Sequence, residues 1–243
     1  MHVNRPPRWA TRSSEDPNME TRDPTTENPF EGVAEEYDQW FDTPTGNAIW
    51  RREVGCLRAV LAPRHAPAGQ WLEIGVGTGR FASALGIQHG IDPSAAMLRQ
   101  AATRGITIRI GRGERLPYAD HAFDGILLAT TLCFLSDVRA TFRESHRVLR
   151  PSGLLCVGLL SAAGTWGRSY TKKKQAGHPI YRHARFHPPE QVITHATEAG
   201  FMLEDARGCA ASDGPAAGPT TQSSRIVVSN ADFVALRLRR IEP

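Results

Sequence analysis

The sequence has no apolar run near the ~18 to 20 residues that a membrane-crossing helix needs. Its beginning, Met1 to Phe30, is polar, charged and proline-rich, without the apolar stretch of a secretory signal. A cytoplasmic protein is therefore expected. Cysteine is scarce: Cys56, Cys133, Cys156 and Cys209 stand far apart and form no CxxC pair. That spacing argues against a disulfide framework or a structural zinc site, so buried reduced thiols and no metal are expected. Charge of one sign is also lacking, since 29 Lys and Arg against 25 Asp and Glu leave only +4. The one compact basic run, Lys172-Lys173-Lys174, is of a kind usually solvated, and a nucleic-acid partner is not expected. What remains is an ordinary globular composition, 40% hydrophobic and 22% charged over 243 residues, enough for one catalytic domain with appendages.

Residues 1–28 mix Arg, Pro, Thr and acidic residues without periodicity and read as a disordered arm. From Glu31 the pattern turns helical, with Val33, Tyr37, Trp40 and Phe41 on one face. Thr43-Pro44-Thr45-Gly46 breaks it, and a second helix carries Ile49, Val54, Leu57, Val60 and Leu61 to about Pro63. Strands and helices then alternate. Trp71 to Ile74, Gly90 to Asp92, Ile106 to Ile110, Phe123 to Ala129 and Leu154 to Leu160 read as strands, the last one entered through a Pro151-Ser152-Gly153 turn. Helical patterns at Gly79 to Leu85, Ser94 to Ala102 and Asp137 to Leu149 separate them, Ser94 being a natural N-cap. This order argues for a mainly parallel sheet with helices on both faces. After an interruption at 161–187, Pro188 to Ala199 reads as a helix and Phe201 to Ala206 as a strand. Ile226 to Ser229 and Phe233 to Leu238 are strand-like, so the sheet is expected to end antiparallel.

The strongest local signal is Leu72-Glu73-Ile74-Gly75-Val76-Gly77-Thr78-Gly79-Arg80, three alternating glycines between a strand and a helix. Glycine there lets the backbone turn sharply and approach a ligand beside a helix N-terminus. A nicotinamide-type fingerprint would want Gly where Arg80 stands, and a phosphate-cradling loop would need Gly-Lys-Ser/Thr. Glu73, two places before the first glycine, would repel a pyrophosphate but suits an ammonium or sulfonium. That favours S-adenosylmethionine. Asp92, ending the next strand, can accept hydrogen bonds from two ribose hydroxyls, and Met97 can lie against an adenine or simply fill core.

These residues resemble the class I S-adenosylmethionine-dependent methyltransferases, in particular the ubiquinone/menaquinone-biosynthesis-like group (methyltransferase type 11). Leu72 to Gly79 is similar to the first cofactor motif and Ile91 to Met97 to the second. Gly111 to Asp124, GRGERLPYADHAFD, resembles the third, and Glu144 to Leu155, ESHRVLRPSGLL, the stretch leading into the fifth strand. Phe186 to Glu190 with Ala199-Gly200-Phe201 resembles a late signature. The resemblance spans roughly 31 to 206 and implies a Rossmann-like, doubly wound, mainly parallel seven-stranded sheet with an antiparallel last strand and an N-terminal helical cap. It implies a domain over 29–243, with the cap at 29–66 and a lid at 161–187. It also implies Tyr37, Glu73, Gly75, Gly77, Asp92, Met97, Gly113, Glu114 and Thr130 around the cofactor. One departure stands out: Arg112 replaces the usual adenine-reading Asp, leaving Gly113 and Glu114 for that task.

Methyl transfer from a sulfonium asks the protein mainly to position the acceptor and exclude water, so no shared catalytic residue is expected. An acceptor that must lose a proton needs a base. His183 and Tyr181, in the aromatic- and histidine-rich lid, are the candidates. The lid's aromatics point to a small organic acceptor. A protein or RNA methyltransferase and a cofactor-binding regulatory protein without turnover stay open as alternatives.

Overall fold

The computed structural model describes residues 28–61, 69–209 and 231–242. The arm at 1–27 and the strand-like stretch 226–229 lie outside the described residues.

Two helices come first, α1 (Ala34–Trp40) and α2 (Pro44–Leu61). Thr43 starts α2: its Oγ1 accepts the Gly46 N–H at 3.0 Å, and Pro44 takes the first helical position, where it has no N–H to lose. The expected break is therefore shorter than the sequence suggested. The buried side of α1 also differs, with Ala34 and Asp38 inward rather than Trp40, because Asp38 has cationic partners.

The remaining elements are β1 (Trp71–Ile74), α3 (Arg80–Leu85), β2 (His89–Asp92), α4 (Ala95–Thr103), β3 (Thr107–Ile110), β4 (Phe123–Ala129), α5 (Val138–Val148), β5 (Leu149–Leu160), α6 (Thr165–Gln175), α7 (Pro189–Glu198), β6 (Phe201–Cys209) and β7 (Phe233–Arg240). Two 3-10 turns, Leu132–Phe134 and Tyr181–His183, fall between them. The seven strands form one sheet in the order β3-β2-β1-β4-β5-β7-β6. Only β7 runs against its neighbours.

Alternate residues of the central strands feed two cores. Leu72, Ile74, Ile126 and Leu128 meet Phe142 of α5 and Val192 of α7 on one face. Trp71, Leu127 and Ala129 meet Leu57 of α2, Phe81 of α3 and Leu98 of α4 on the other. Strands covered on both faces read as continuous apolar runs, which is why β4 was legible. At the edge, β3 is uncovered, and its Ile110 stays 62% exposed. The expected turn at Pro151 to Gly153 is instead part of β5, which begins at Leu149 with Ser152 at φ 60° and a register shift against β4. The turn-type residues loop out of register with β4 here without ending the strand.

The chain builds β1, β2 and β3 outward in one direction, then returns to lay β4 on the other side of β1. Such a reversal leaves a crevice at the carboxyl ends of the strands, where ligands bind in open α/β sheets.

Candidate functional site

A cavity of about 480 Å³ opens at this reversal, floored by Ile74, Gly75 and Gly77 after β1, Asp92 at the end of β2, and Ala129 and Thr130 at the end of β4. Its loop is held by backbone bonds: the N–H groups of Gly75 and Val76 donate to the Ile91 carbonyl at 2.8 and 3.1 Å. Gly75 and Gly77 have φ of +70° and +52°, which side-chain-bearing residues rarely adopt. They serve different purposes. A Cβ on Gly75 would lie 2.3 Å from Thr131 Cγ2, whereas one on Gly77 would meet nothing within 4 Å.

Asp92 is 8% exposed. Its Oδ2 accepts the Gly77 N–H at 3.0 Å and its Oδ1 the Ser94 N–H at 2.8 Å. Burial pushes its carboxyl up, partly offset by these two donors. Each oxygen keeps a lone pair for a ligand hydroxyl. Ser94 caps α4 by accepting the Met97 N–H at 3.2 Å, and its hydroxyl donates to Glu31 at 2.5 Å, fastening the segment before α1 to the cofactor-side helix. Met97 lines the cavity from that helix.

Opposite stand Gly111, Arg112, Gly113 and Glu114, with Leu135 and Ser136. Glu114 Oε1 accepts from the Ser136 N–H and hydroxyl at 2.8 and 2.7 Å. Burial opposes its ionisation, but these bonds prevail and hold the carboxyl below its usual range. One of its oxygens is therefore committed to the wall. Thr130 adopts φ 54° while its N–H donates to the Gly158 carbonyl at 2.8 Å, so its backbone is turned at the cavity edge.

Two further segments line the cavity. Asn28, Pro29 and Phe30 come from the N-terminal side, and His183 and Arg185 from the 161–187 segment. Phe30 packs edge-on to Tyr37 and Phe134, with centroids 5.7 and 4.9 Å away. The Arg185 N–H donates to the Cys133 carbonyl at 2.7 Å and ties that segment to the wall. Tyr37 lines the cavity from α1, and burial, aided by the Glu53 carboxylate, pushes its phenol up. Burial, followed by Arg182 and Lys174, holds His183 below its usual pKa, so its imidazole is neutral at pH 7.

Two expected residues, Glu73 and Tyr181, stand apart from the cavity lining. Glu73 is 1% exposed in β1, with Oε2 lacking a hydrogen-bond partner among the described residues. Burial lifts its carboxyl well above the usual range, although the Ala82 N–H works the other way. Tyr181 packs on Tyr170 and His178, with centroids 4.5 and 4.9 Å away. Trp40 packs on Phe41 at 5.0 Å. All four cysteines are free and buried. Among the described residues no helix is long and apolar enough to cross a membrane, and no group of His, Cys, Asp and Glu could hold a metal.

Sequence reasoning missed the lining residues Asn28, Phe30 and Arg185, which carry no local motif. It also missed the role of Arg80. In the sequence Arg80 only denied a glycine; in the structure it opens α3 and binds Asp38 and Asp42 of the α1 region.

A doubly wound sheet with a glycine loop after β1 and an acidic residue ending β2 defines a nucleoside-cofactor fold. A profile of the family described as "Methyltransferase domain" matches residues 72–157. An uncharacterized protein of Mycobacterium tuberculosis is 40% identical over 167 residues, 69% of this chain and 58% of that protein. This chain thus spans 58% of the length of the curated mycobacterial relatives it matches. A demethylmenaquinone methyltransferase of Corynebacterium kroppenstedtii is 31% identical, covering 53% of this chain and 56% of that one. The crystal structure of a Thermotoga maritima S-adenosylmethionine-dependent methyltransferase, described as a possible histamine N-methyltransferase, superimposes with a TM-score of 0.75. It is 30% identical, over 87% of this chain and 98% of that one. The chain belongs to the S-adenosylmethionine-dependent methyltransferases, and its cofactor is S-adenosylmethionine.

The residues fit that cofactor. Asp92 keeps two acceptor sites for a ribose diol, Gly77 leaves open space above the loop, Met97 and Leu135 offer apolar surface to a purine, and the unpartnered Glu73 Oε2 suits a positively charged ligand nearby.

Proposed function

We propose that this chain methylates a small organic acceptor, with S-adenosylhomocysteine as the second product. The bound cofactor supplies a sulfonium-activated methyl group for in-line displacement. Asp92 holds the ribose, while Gly75 and Gly77 bring the loop backbone close. Met97, Gly113 and Glu114 border the adenine, with Arg112 beside them, and Tyr37 and Thr130 border the methionine end. Glu73 answers the cofactor's positive charge from below the loop. His183, which lines the cavity, takes the proton from an acceptor that must lose one, once its Nε2 is released from the Arg182 N–H that it accepts in the ligand-free protein. Tyr181 supports that mouth through Tyr170. The helices α1 and α2 act as a cap and 161–187 as a lid, which together exclude water, the end of the expected 29–66 cap lying outside the described residues.

The observation that carries this reading is the single cavity at the strand reversal, which collects every expected cofactor residue except Glu73. The aromatic residues Phe30, Tyr37 and Phe134 in its lining favour a small organic acceptor over a macromolecular one.

Calorimetric titration with S-adenosylmethionine, S-adenosylhomocysteine and NAD tests the first half. Micromolar binding of the first two is expected, and binding of NAD alone overturns it. Release of S-adenosylhomocysteine in a screen of small acceptors tests the second half. Tight cofactor binding with no turnover on any acceptor would favour a regulatory protein.

A further inference from the structure

We infer that the acceptor is a small organic anion, a carboxylate or phosphate ester, whose charged end is held at the cavity mouth by Arg185 and Asn28. The inference rests on the methyltransferase reading above and names the substrate class of the same site.

The 161–187 segment has an unusual charge. Between Ser161 and His187 stand Arg168, Lys172, Lys173, Lys174, Arg182 and Arg185, with no Asp or Glu among them. None of the six forms an ion pair among the described residues. Lys174 donates to the Ala184 carbonyl at 2.7 Å and Arg182 to His183 Nε2 at 2.8 Å, neutral partners that leave both charges uncompensated. Arg185, an exposed residue of the cavity lining, has no side-chain hydrogen bond or ion pair among the described residues.

A second donor faces the same space. Asn28 lines the cavity, its Oδ1 accepts the Phe30 N–H at 3.1 Å, and its Nδ2 is buried without an acceptor among the described residues. A buried amide donor left unmade is costly, so a ligand oxygen at this position would satisfy it. Arg185 lines the same cavity, and its guanidinium fork matches a carboxylate or phosphate.

The cavity's own carboxylates do not serve Arg185. Asp92 accepts from the Gly77 and Ser94 backbones, and Glu114 from Ser136. The depressed pKa of His183, caused by burial and then by Arg182 and Lys174, agrees with a positive field at the mouth. A cationic acceptor would meet like charge there, whereas an anionic one is drawn in.

The cofactor also carries a carboxylate, so the test must separate the two uses of Arg185. The full-length protein, saturated with S-adenosylhomocysteine, is titrated with inorganic phosphate, benzoate and benzylammonium at fixed ionic strength. Both anions are expected to bind and the ammonium not to. A preference between phosphate and benzoate tells which anionic group the mouth fits. Arg185→Gln should weaken the anions by about 10- to 100-fold, the loss of one charge-assisted contact, with S-adenosylhomocysteine affinity kept within about threefold. Arg185→Lys should recover part of the anion affinity, and Asn28→Ala should lose some of it. Preferential binding of benzylammonium overturns the inference. So does a loss in Arg185→Gln that falls on S-adenosylhomocysteine instead of the anions. A wild-type protein that binds neither cofactor form overturns the methyltransferase reading itself, which is a different result.

Discussion

Arg80 grips Asp38 side-on, its Nε and Nη2 donating to the two carboxylate oxygens at 2.8 Å each. Asp38 lies on α1 and Arg80 opens α3 just after the glycine loop, so the pair ties the N-terminal helix to the cofactor loop. Arg104 adds a 2.7 Å bond to Asp38 and one of 2.9 Å to the Thr78 carbonyl. Burial works against the Asp38 charge, yet the bonds from Arg80, Thr78 and Arg104 prevail and hold the carboxyl at about 2. Asp38→Asn leaves two guanidiniums under-compensated and is expected to cost about 2 to 3 kcal/mol in urea melts. Because the Asp38 pKa is depressed, its contribution is complete above the unfolded value of 3.8 and is lost as pH falls toward about 2. The gap between wild type and Asp38→Asn should therefore close over that window. Equal melts at pH 7 would show that the clamp adds nothing to stability.

Gly75 and Gly77 allow the needs of fold and ligand to be separated. Gly77→Ala places a methyl group in open space at φ +52° and should cost about 1 to 2 kcal/mol of stability. Cofactor affinity should fall further, by at least about tenfold, because the methyl takes room beside the ligand. Gly75→Ala drives a Cβ to 2.3 Å from Thr131 Cγ2, so its melting temperature should drop more than that of Gly77→Ala. Calorimetry and melting on both variants check this. Unchanged cofactor affinity in Gly77→Ala would remove the loop from the binding site.

The parts of the fold legible in sequence are those with one dominant physical signal. β4 is apolar from Ile126 to Ala129 because both its faces are covered there, and Asp92 and the glycine loop stand out because their backbone and charge requirements are local. Ser94 is a readable cap for the same reason. The misses depend on distant partners. Nothing near Asp38 in sequence announces that Arg80 and Arg104 will bury it, and nothing near Asn28 or Arg185 announces a shared cavity. Ser152 and Gly153 carry true turn chemistry, and only the pairing of the flanking β5 residues with β4 and β7 keeps that turn inside one strand.

Glu73 offers a test of the cofactor's charge. Burial keeps its carboxyl protonated above the usual range, so the ligand-free protein should lose stability as pH climbs past 4.5, and Glu73→Gln should flatten that slope. At pH 7 the variant should be at least as stable as wild type. S-adenosylmethionine should nevertheless bind it less tightly, since a cation nearby can ionise Glu73 but not glutamine. A larger loss for S-adenosylmethionine than for S-adenosylhomocysteine would point to the sulfonium. Equal losses would point to the shared ammonium, and no loss for either would leave Glu73 as core filling.

His183 sets the pH dependence of any acceptor that must be deprotonated. Its pKa is depressed by burial and then by Arg182 and Lys174, so the base form should predominate already below pH 6.5. The kcat profile is then expected to rise through a limb on the acid side of 6.5 and to be flat at neutral pH. Arg182→Gln removes one of the charges that depress the imidazole and should move that limb to higher pH. His183→Ala should abolish the limb and lower kcat more than it raises KM. The same depression predicts that folding stability falls as pH drops below 6.5, where the unfolded chain binds the proton more readily. A limb that stays in place in Arg182→Gln and survives in His183→Ala would assign the proton to another group.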